Sequence, residues 1–219
     1  MSGESRSLGD LFSRWGGRKG PAAEPEGAAG GDEAAHPTKA LPPFLKGLAA
    51  SEGPVLIDLG PVVGSNVTFF GEQLGCRLRV EDVIADIERH ARSGATADFP
   101  GFLETRLQQA EGSVDGILCW DVFDYLDRPA AQALAASLVR MLRPGGLLLG
   151  FFSNAEPREQ VYTKYVVVDE AHLKYRQYPA SAPRQRGLLN RDIIKLFEGL
   201  TVSESFLMKN NVREFLFRK

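Results

Sequence analysis

From Pro54 to Phe152 the chain alternates between short runs that are apolar almost throughout and longer stretches with apolar residues at helical spacing. "PVLIDLG" is a run of the first kind, bounded by Pro54 and Gly60. "SNVTFFGEQLG" follows, with Val67, Phe70 and Leu74 on one helical face behind a Ser or Asn cap. "CRLRVED" and "VIADIERHARSG", the latter closed by Gly94, repeat the pattern. "VDGILCWD" and the Ala/Leu-rich "RPAAQALAASLVRML" repeat it again, before "RPGG" turns the chain into "LLLGFF". A weaker strand is expected at "DFPGFLE". Strands that are apolar on both sides need cover on both sides, so this order predicts an α/β fold: a Rossmann-like, doubly wound, mostly parallel sheet with helices on both faces. The end of the chain reads differently. "YTKYVVVDE" and "ESFLMKNNVREFLFRK" are longer strand patterns around a helix at "NRDIIKLFEGL", and "KNN" predicts a closing antiparallel hairpin.

The first forty residues are of another kind. Residues 16 to 37 are dominated by Gly, Ala, Pro, Glu and Asp, too poor in apolar surface to offset the entropy of ordering them. Residues 1–40 are therefore expected to be a flexible tail, and 41–219 the folded domain. Within the tail, Leu8, Leu11, Phe12 and Trp15 fall on one face of a short helix flanked by Arg6, Arg14, Arg18 and Lys19. Two helical turns are marginal in water. The stripe over residues 8–15 is thus either a segment that folds back on its own domain or a docking peptide for a protein partner or membrane surface.

Bulk properties exclude several classes. The 26 basic and 28 acidic residues leave no whole-chain field that would indicate nucleic acid. No run of eighteen apolar residues provides a transmembrane segment, and the first twenty residues have no apolar signal-peptide core. Cys76 and Cys119 are not in a Cys-x-x-Cys pair, and His36, His90 and His172 are scattered singly, so neither a disulfide framework nor a metal site is expected. The expectation is a reduced, cytoplasmic protein.

Taken in order, the pieces resemble class I S-adenosylmethionine-dependent methyltransferases. "VLIDLGPVVG" resembles the first motif, an acid ending a strand before a glycine-rich turn, and "VED" the acid-bearing end of the second strand. "LQQAEGSVDGILCWDVFDYL" is similar to the entry into the fourth strand, and "LVRMLRPGGLLLGFF" to the helix-turn-strand that leads into the fifth. The resemblance covers 41–219 and implies a methyltransferase-like domain with S-adenosyl-L-methionine as cofactor.

It also implies a set of cofactor-binding residues. Asp58 would orient the turn or receive the cofactor's amino group through water, while Gly60 and Gly64 let the backbone pass close to the ligand. Glu81 falls where the family carries its ribose acid, with Asp82 its neighbour and competitor; Asp82 also suits the cap of the next helix. Glu104, or alternatively Asp98, corresponds to the adenine acid. Asp121 follows the fourth strand, where it can meet acceptor or cofactor, with Trp120 and Tyr125 as pocket walls or strand-end packing. Val62 replaces the family's middle glycine, and Pro61 before it removes a backbone donor, which predicts a reshaped turn.

No residue is marked as catalytic, and the methyl acceptor is unidentified. No Asn-Pro-Pro-Tyr-like element follows the fourth strand, so methylation of base amino groups is not indicated. From Lys174 to Arg191, "KYRQYPASAPRQRGLLNR" holds five basic residues, Tyr175 and Tyr178, and no acid, and reads as a solvated loop or a surface for an anionic acceptor. The competing reading is a non-catalytic, methyltransferase-like module that regulates or scaffolds, docked through its N-terminal segment. A nicotinamide enzyme fares worse, because its turn needs glycines two and then three apart and only the Gly60 to Gly64 interval is present.

Overall fold

The computed structural model describes residues 32–94, 98–154 and 160–219. The amphipathic stripe at 8–15 lies outside the described residues. Along the chain come β1 (Asp32–Pro37), α1 (Leu41–Leu48), β2 (Val55–Asp58), α2 (Gly64–Val67) continuing as a π-helical turn over Thr68–Gln73, β3 (Arg77–Val80), α3 (Val83–Ser93) and α4 (Phe99–Arg106). Then follow β4 (Val114–Trp120), a 3-10 turn (Val122–Tyr125), α5 (Arg128–Met141), β5 (Leu142–Ser153), β6 (Val161–Asp169), β7 (His172–Pro179), α6 (Asn190–Leu196), β8 (Thr201–Leu207) and β9 (Val212–Arg218).

The main sheet has six strands in the order β3-β2-β4-β5-β9-β8. β2, β3, β4 and β5 run parallel, while β9 is antiparallel to β5 and β8 to β9. The expected parallel sheet with an antiparallel C-terminal hairpin is thus present. Neighbouring residues on a strand face opposite ways, and the two cores follow from that. Ile57, Ile117, Leu148 and Phe217 join Val83, Leu103 and Leu134 from the helices, and Phe197 just after α6, on one side. Leu56, Leu118, Leu147 and Leu216 join Leu41, Phe44 and Phe69 on the other.

A second, three-stranded antiparallel sheet, β1-β7-β6, lies against the latter core and contributes Tyr165, Val167 and Leu173 to it. Asp32–Pro37, inside the stretch expected as tail, is therefore a strand. The reason is long-range pairing: His36 and Pro37 pair with Leu173 and His172, and His36 stacks on Tyr175 at 4.7 Å. At the junction with α1, the fully buried Glu214 of β9 accepts from Thr38 Oγ1 at 3.0 Å and from the backbone N–H groups of Lys39 and Ala40 at 2.8 Å.

One further expectation is corrected. "DFPGFLE" is not a strand but α4, so β3 is the edge of the main sheet. Pro100 sits in the first helical turn, where its missing N–H costs nothing, and Phe99 and Leu103 bury one helical face. Phe99 and Phe102 also pack around His90 of α3, with ring centroids 4.4 and 4.8 Å away. The basic segment from Lys174 is likewise only partly a loop, since Lys174 to Pro179 belong to β7.

Candidate functional site

A sheet of this kind binds ligands beyond the carboxyl ends of its parallel strands, and the candidate acids gather there. The Glu81 backbone N–H donates to the Asp58 carbonyl at 2.8 Å, which sets the ends of β2 and β3 side by side. Asp58 is buried. Its Oδ1 accepts from the Gly60 N–H at 2.9 Å and from Trp120 Nε1 at 2.6 Å, and burial, opposed by these two bonds, pushes its pKa up to about 6.

Gly60 is required by close approach rather than by its own dihedrals. A Cβ at that position would lie 2.6 Å from Trp120 Cδ1. The turn then runs through extended Val63 into α2 at Gly64. Val62, where the family's glycine would stand, is 52% exposed and turned to solvent. The reshaped turn thus removes the valine side chain from the buried part of the site. Two residues past Gly64, buried Asn66 binds the backbone of β6: its Nδ2 donates to the Tyr165 carbonyl and its Oδ1 accepts from the Val167 N–H, both at 2.8 Å.

At the end of β3 the two acids separate by role. Asp82 has a left-handed backbone (φ 41°) and caps α3, accepting from the Ala85 N–H at 3.1 Å. Burial raises its pKa, against the Ala85 bond. Glu81 accepts instead from Arg106 Nη1 at 2.7 Å and Gln109 Nε2 at 3.0 Å, while Arg106 Nε reaches Asp86 at 2.8 Å. Arg106 and Gln109 come from α4 and the segment after it, so the helix found in place of a strand supplies the partners of Glu81. Glu104 is exposed on that helix and Asp98 is exposed at its start; neither joins the buried acids.

At the end of β4, Trp120, Asp121, Asp124 and Tyr125 are all buried. The cation among them is Arg184, which comes from the segment after β7. Its Nη2 pairs with Asp121, its Nε donates to the Tyr125 hydroxyl at 2.9 Å, and its Nη1 lies 3.6 Å from Asp124. The Tyr125 hydroxyl in turn donates to the Val161 carbonyl at 2.9 Å. Burial raises the pKa of Asp121 despite Arg184, and burial together with the Asp121 charge pushes Asp124 up to about 7.

Nothing in the local pattern signals that Arg184, in the segment expected as a solvated loop or a surface for an anionic acceptor, is internal, nor that Asn66 does more than cap a helix. Both contacts bridge more than sixty residues of chain, which no local spacing reports. Cys76 and Cys119 are buried and free, with thiol pKa values raised by burial, so neither is poised as a nucleophile. Among the described residues no group of three or more His, Cys, Asp or Glu could hold a metal ion.

No protein-family model matches the chain, and no curated protein does. Solved structures do. A TehB-like SAM-dependent methyltransferase from Corynebacterium glutamicum superposes with a TM-score of 0.50 at 17% identity, over 82% of this chain and 87% of that one. The chain has the class I methyltransferase fold. An S-adenosylmethionine-dependent methyltransferase from Mesorhizobium loti (TM-score 0.49, 13% identity, 81% of this chain and 96% of that chain) is also similar. So is the 1,6-didemethyltoxoflavin-N1-methyltransferase of Burkholderia thailandensis, solved with 1,6-didemethyltoxoflavin and S-adenosylhomocysteine (0.48, 18%, 82% and 78%). At 17% identity the likeness to the Corynebacterium glutamicum protein establishes the fold, and the chemistry has to be argued from the residues.

Proposed function

We propose that the protein binds S-adenosylmethionine at the ends of β2 and β3 and acts as a methyltransferase on an acceptor yet to be identified. One observation carries this reading: Asp58 and Glu81 stand on adjoining strand ends, joined by the 2.8 Å bond between their backbones, beside a turn whose Gly60 permits close approach. Among the described residues no helix is long and apolar enough to cross a membrane. A cytoplasmic location is proposed from the thiols of Cys76 and Cys119, which are free and buried.

The residues fit the two halves of such a cofactor unequally. Glu81 is part-exposed, and a carboxylate has about four lone-pair sites, so Arg106 and Gln109 leave acceptor capacity for a pair of ribose hydroxyls. Gly64 opens the helix that follows the turn. On the side of the amino-acid end, however, the space over Gly60 holds the Trp120 ring. When bound, S-adenosylmethionine supplies a methyl group on a sulfonium that is its own leaving group, so the protein's task is alignment. Asp121 and Tyr125 are the polar groups nearest the β4 end and are suited to orient an acceptor, with Arg184 fixing their positions.

A second reading, a non-catalytic module of the same fold, is favoured by a different observation: Asp58, Glu81 and Asp121 are each already engaged, by Trp120, Arg106 and Arg184. Calorimetric titration with S-adenosylmethionine, S-adenosylhomocysteine and NAD separates the readings. Heat with the first two and none with NAD is the expected result. No heat or thermal shift with either at millimolar concentration would leave only the non-catalytic reading.

A further inference from the structure

Trp120 has three features that belong together. Its backbone is left-handed (φ 47°), a conformation that is an outlier for a bulky L-residue and that persists only where surrounding contacts enforce it. Its indole N–H donates at 2.6 Å to Asp58, the first-motif carboxylate. Its ring packs directly over Gly60, with Cδ1 2.6 Å from where a Cβ on that residue would stand, so it fills the space that the glycine opens.

The ring is also clamped from outside. Tyr165 of β6 stacks on it with centroids 5.2 Å apart and planes within 5°, and Phe151 meets it edge-on at 5.6 Å. Tyr165 is in turn tied to α2 through Asn66, which holds the β6 backbone at Tyr165 and Val167. The turn, the strand ends and the small sheet are therefore joined at one indole.

We infer that Trp120 is an internal competitor for the cofactor site: its indole N–H takes the Asp58 acceptor, and its ring the space over Gly60, that the amino-acid end of the ligand would use. The inference rests on the S-adenosylmethionine reading above and adds to it how the site is regulated. The ligand's nucleoside end meets Glu81 without disturbing Trp120. Its amino-acid end enters only when Trp120 leaves Asp58 and Tyr165, so apparent affinity is reduced by the fraction of molecules in the open state. The left-handed strain at Trp120 favours release, and the Asn66–β6 bonds oppose it. Anything that loosens β6 therefore raises affinity for the full ligand and leaves binding of a nucleoside fragment unaltered.

The test compares two probes on three proteins. S-Adenosylhomocysteine carries the amino-acid end, and 5′-methylthioadenosine lacks it. Calorimetry on the full chain should give the two probes similar affinities for wild type. In Trp120→Ala the homocysteine compound should gain about ten- to hundredfold while methylthioadenosine changes by less than about twofold. Trp120→Phe keeps a ring over Gly60 but loses the donor to Asp58, and should show a smaller gain of the same kind; it carries the test if Trp120→Ala does not fold.

A second readout uses fluorescence. The chain has two tryptophans, so a Trp15→Phe background leaves Trp120 as the only indole. Its emission should shift red with S-adenosylhomocysteine and stay fixed with methylthioadenosine. If the ratio of the two affinities is the same in all three proteins, Trp120 is no competitor, although the cofactor reading stands. If neither probe binds any of the three, both inferences fall.

Discussion

Arg106 donates to the Glu81 carboxylate from Nη1 and to the Glu81 backbone carbonyl from Nη2, each at 2.7 Å. This double contact fixes both the side chain and the end of β3, and it separates the tasks of two consecutive acids. Glu81 faces the strand ends held by a cation, and Asp82 turns back to cap α3. Glu81→Ala should therefore weaken S-adenosylhomocysteine binding by roughly ten- to hundredfold, the equivalent of about 1.5–3 kcal/mol for a charge-assisted bond. Asp82→Ala should leave binding nearly intact and cost about 0.5–2 kcal/mol of stability through the lost cap. Paired titrations and thermal melts decide this. Loss of ligand in Asp82→Ala but not in Glu81→Ala would move the ribose acid by one residue.

Asp124 gives the protein a pH dependence of definite sign. Its folded pKa is raised by burial first and by the Asp121 charge second, to about 7 from 3.8. In the window between these values the folded state holds a proton that the unfolded state has lost. The stability tied to this group is present in full below 3.8 and is lost as pH rises through about 7. Asp58, at about 6, adds to the loss over the lower part of the same window. Asp124→Asn keeps an acceptor for the Ser153 N–H, bonded at 3.0 Å, and removes the titration. The variant should lose stability less steeply than wild type from pH 4 to 7. Parallel slopes for the two proteins in denaturant melts across that range would show that Asp124 is not the group responsible.

The ordered residues ahead of α1 should matter to stability. A chain starting at Asp32 keeps β1 and the Glu214 contacts; one starting at Leu41 loses β1, the Thr38 hydroxyl and the Lys39 and Ala40 donors together. Glu214 is fully buried, and leaving a buried carboxylate unpaired costs more than the bonds themselves contribute. The shorter chain should melt several degrees below the longer one, or fail to accumulate. Equal melting temperatures would show that Glu214 finds other partners.

Elements with a strong local pattern were legible in the sequence, and contacts between distant residues were not. Val55–Asp58 and Val114–Trp120 are near-continuous apolar runs, and each is where the pattern placed it; the Arg143–Gly146 segment, expected as a turn, instead lies within β5 at a shift of register against β4. α4 was misread because an eight-residue segment with Pro100 and Gly101 has little periodicity, and its apolar face is fixed by packing on α5 and His90. β1 escaped because "DEAAHP" has no strand propensity of its own and is ordered by pairing with β7. In the site, the two strand-end acids were legible and their partners were not. For Trp120 the sequence indicates only a pocket wall or strand-end packing, because a hydrogen bond across sixty-two residues to Asp58 leaves no trace in spacing.

Asn66 provides the last test, because it joins the helix after the turn to the backbone of β6 by two bonds. Its amide completes Tyr165 C=O and Val167 N–H at 2.8 Å each, in a position that is 3% exposed. Asn66→Ala leaves both backbone groups buried and unpaired, at a cost of about 1–3 kcal/mol. Asn66→Asp repairs only half, since a carboxylate can accept from Val167 but turns a second acceptor toward the Tyr165 carbonyl. Both variants should melt below wild type and exchange the Val167 amide faster, with little change in amides of β4 such as Leu118. Hydrogen exchange resolved by residue reads both effects at once. Unchanged protection at Val167 in Asn66→Ala would mean that β6 is held on the strand ends by its Tyr165 and Val167 packing, and that the amide bridge adds nothing.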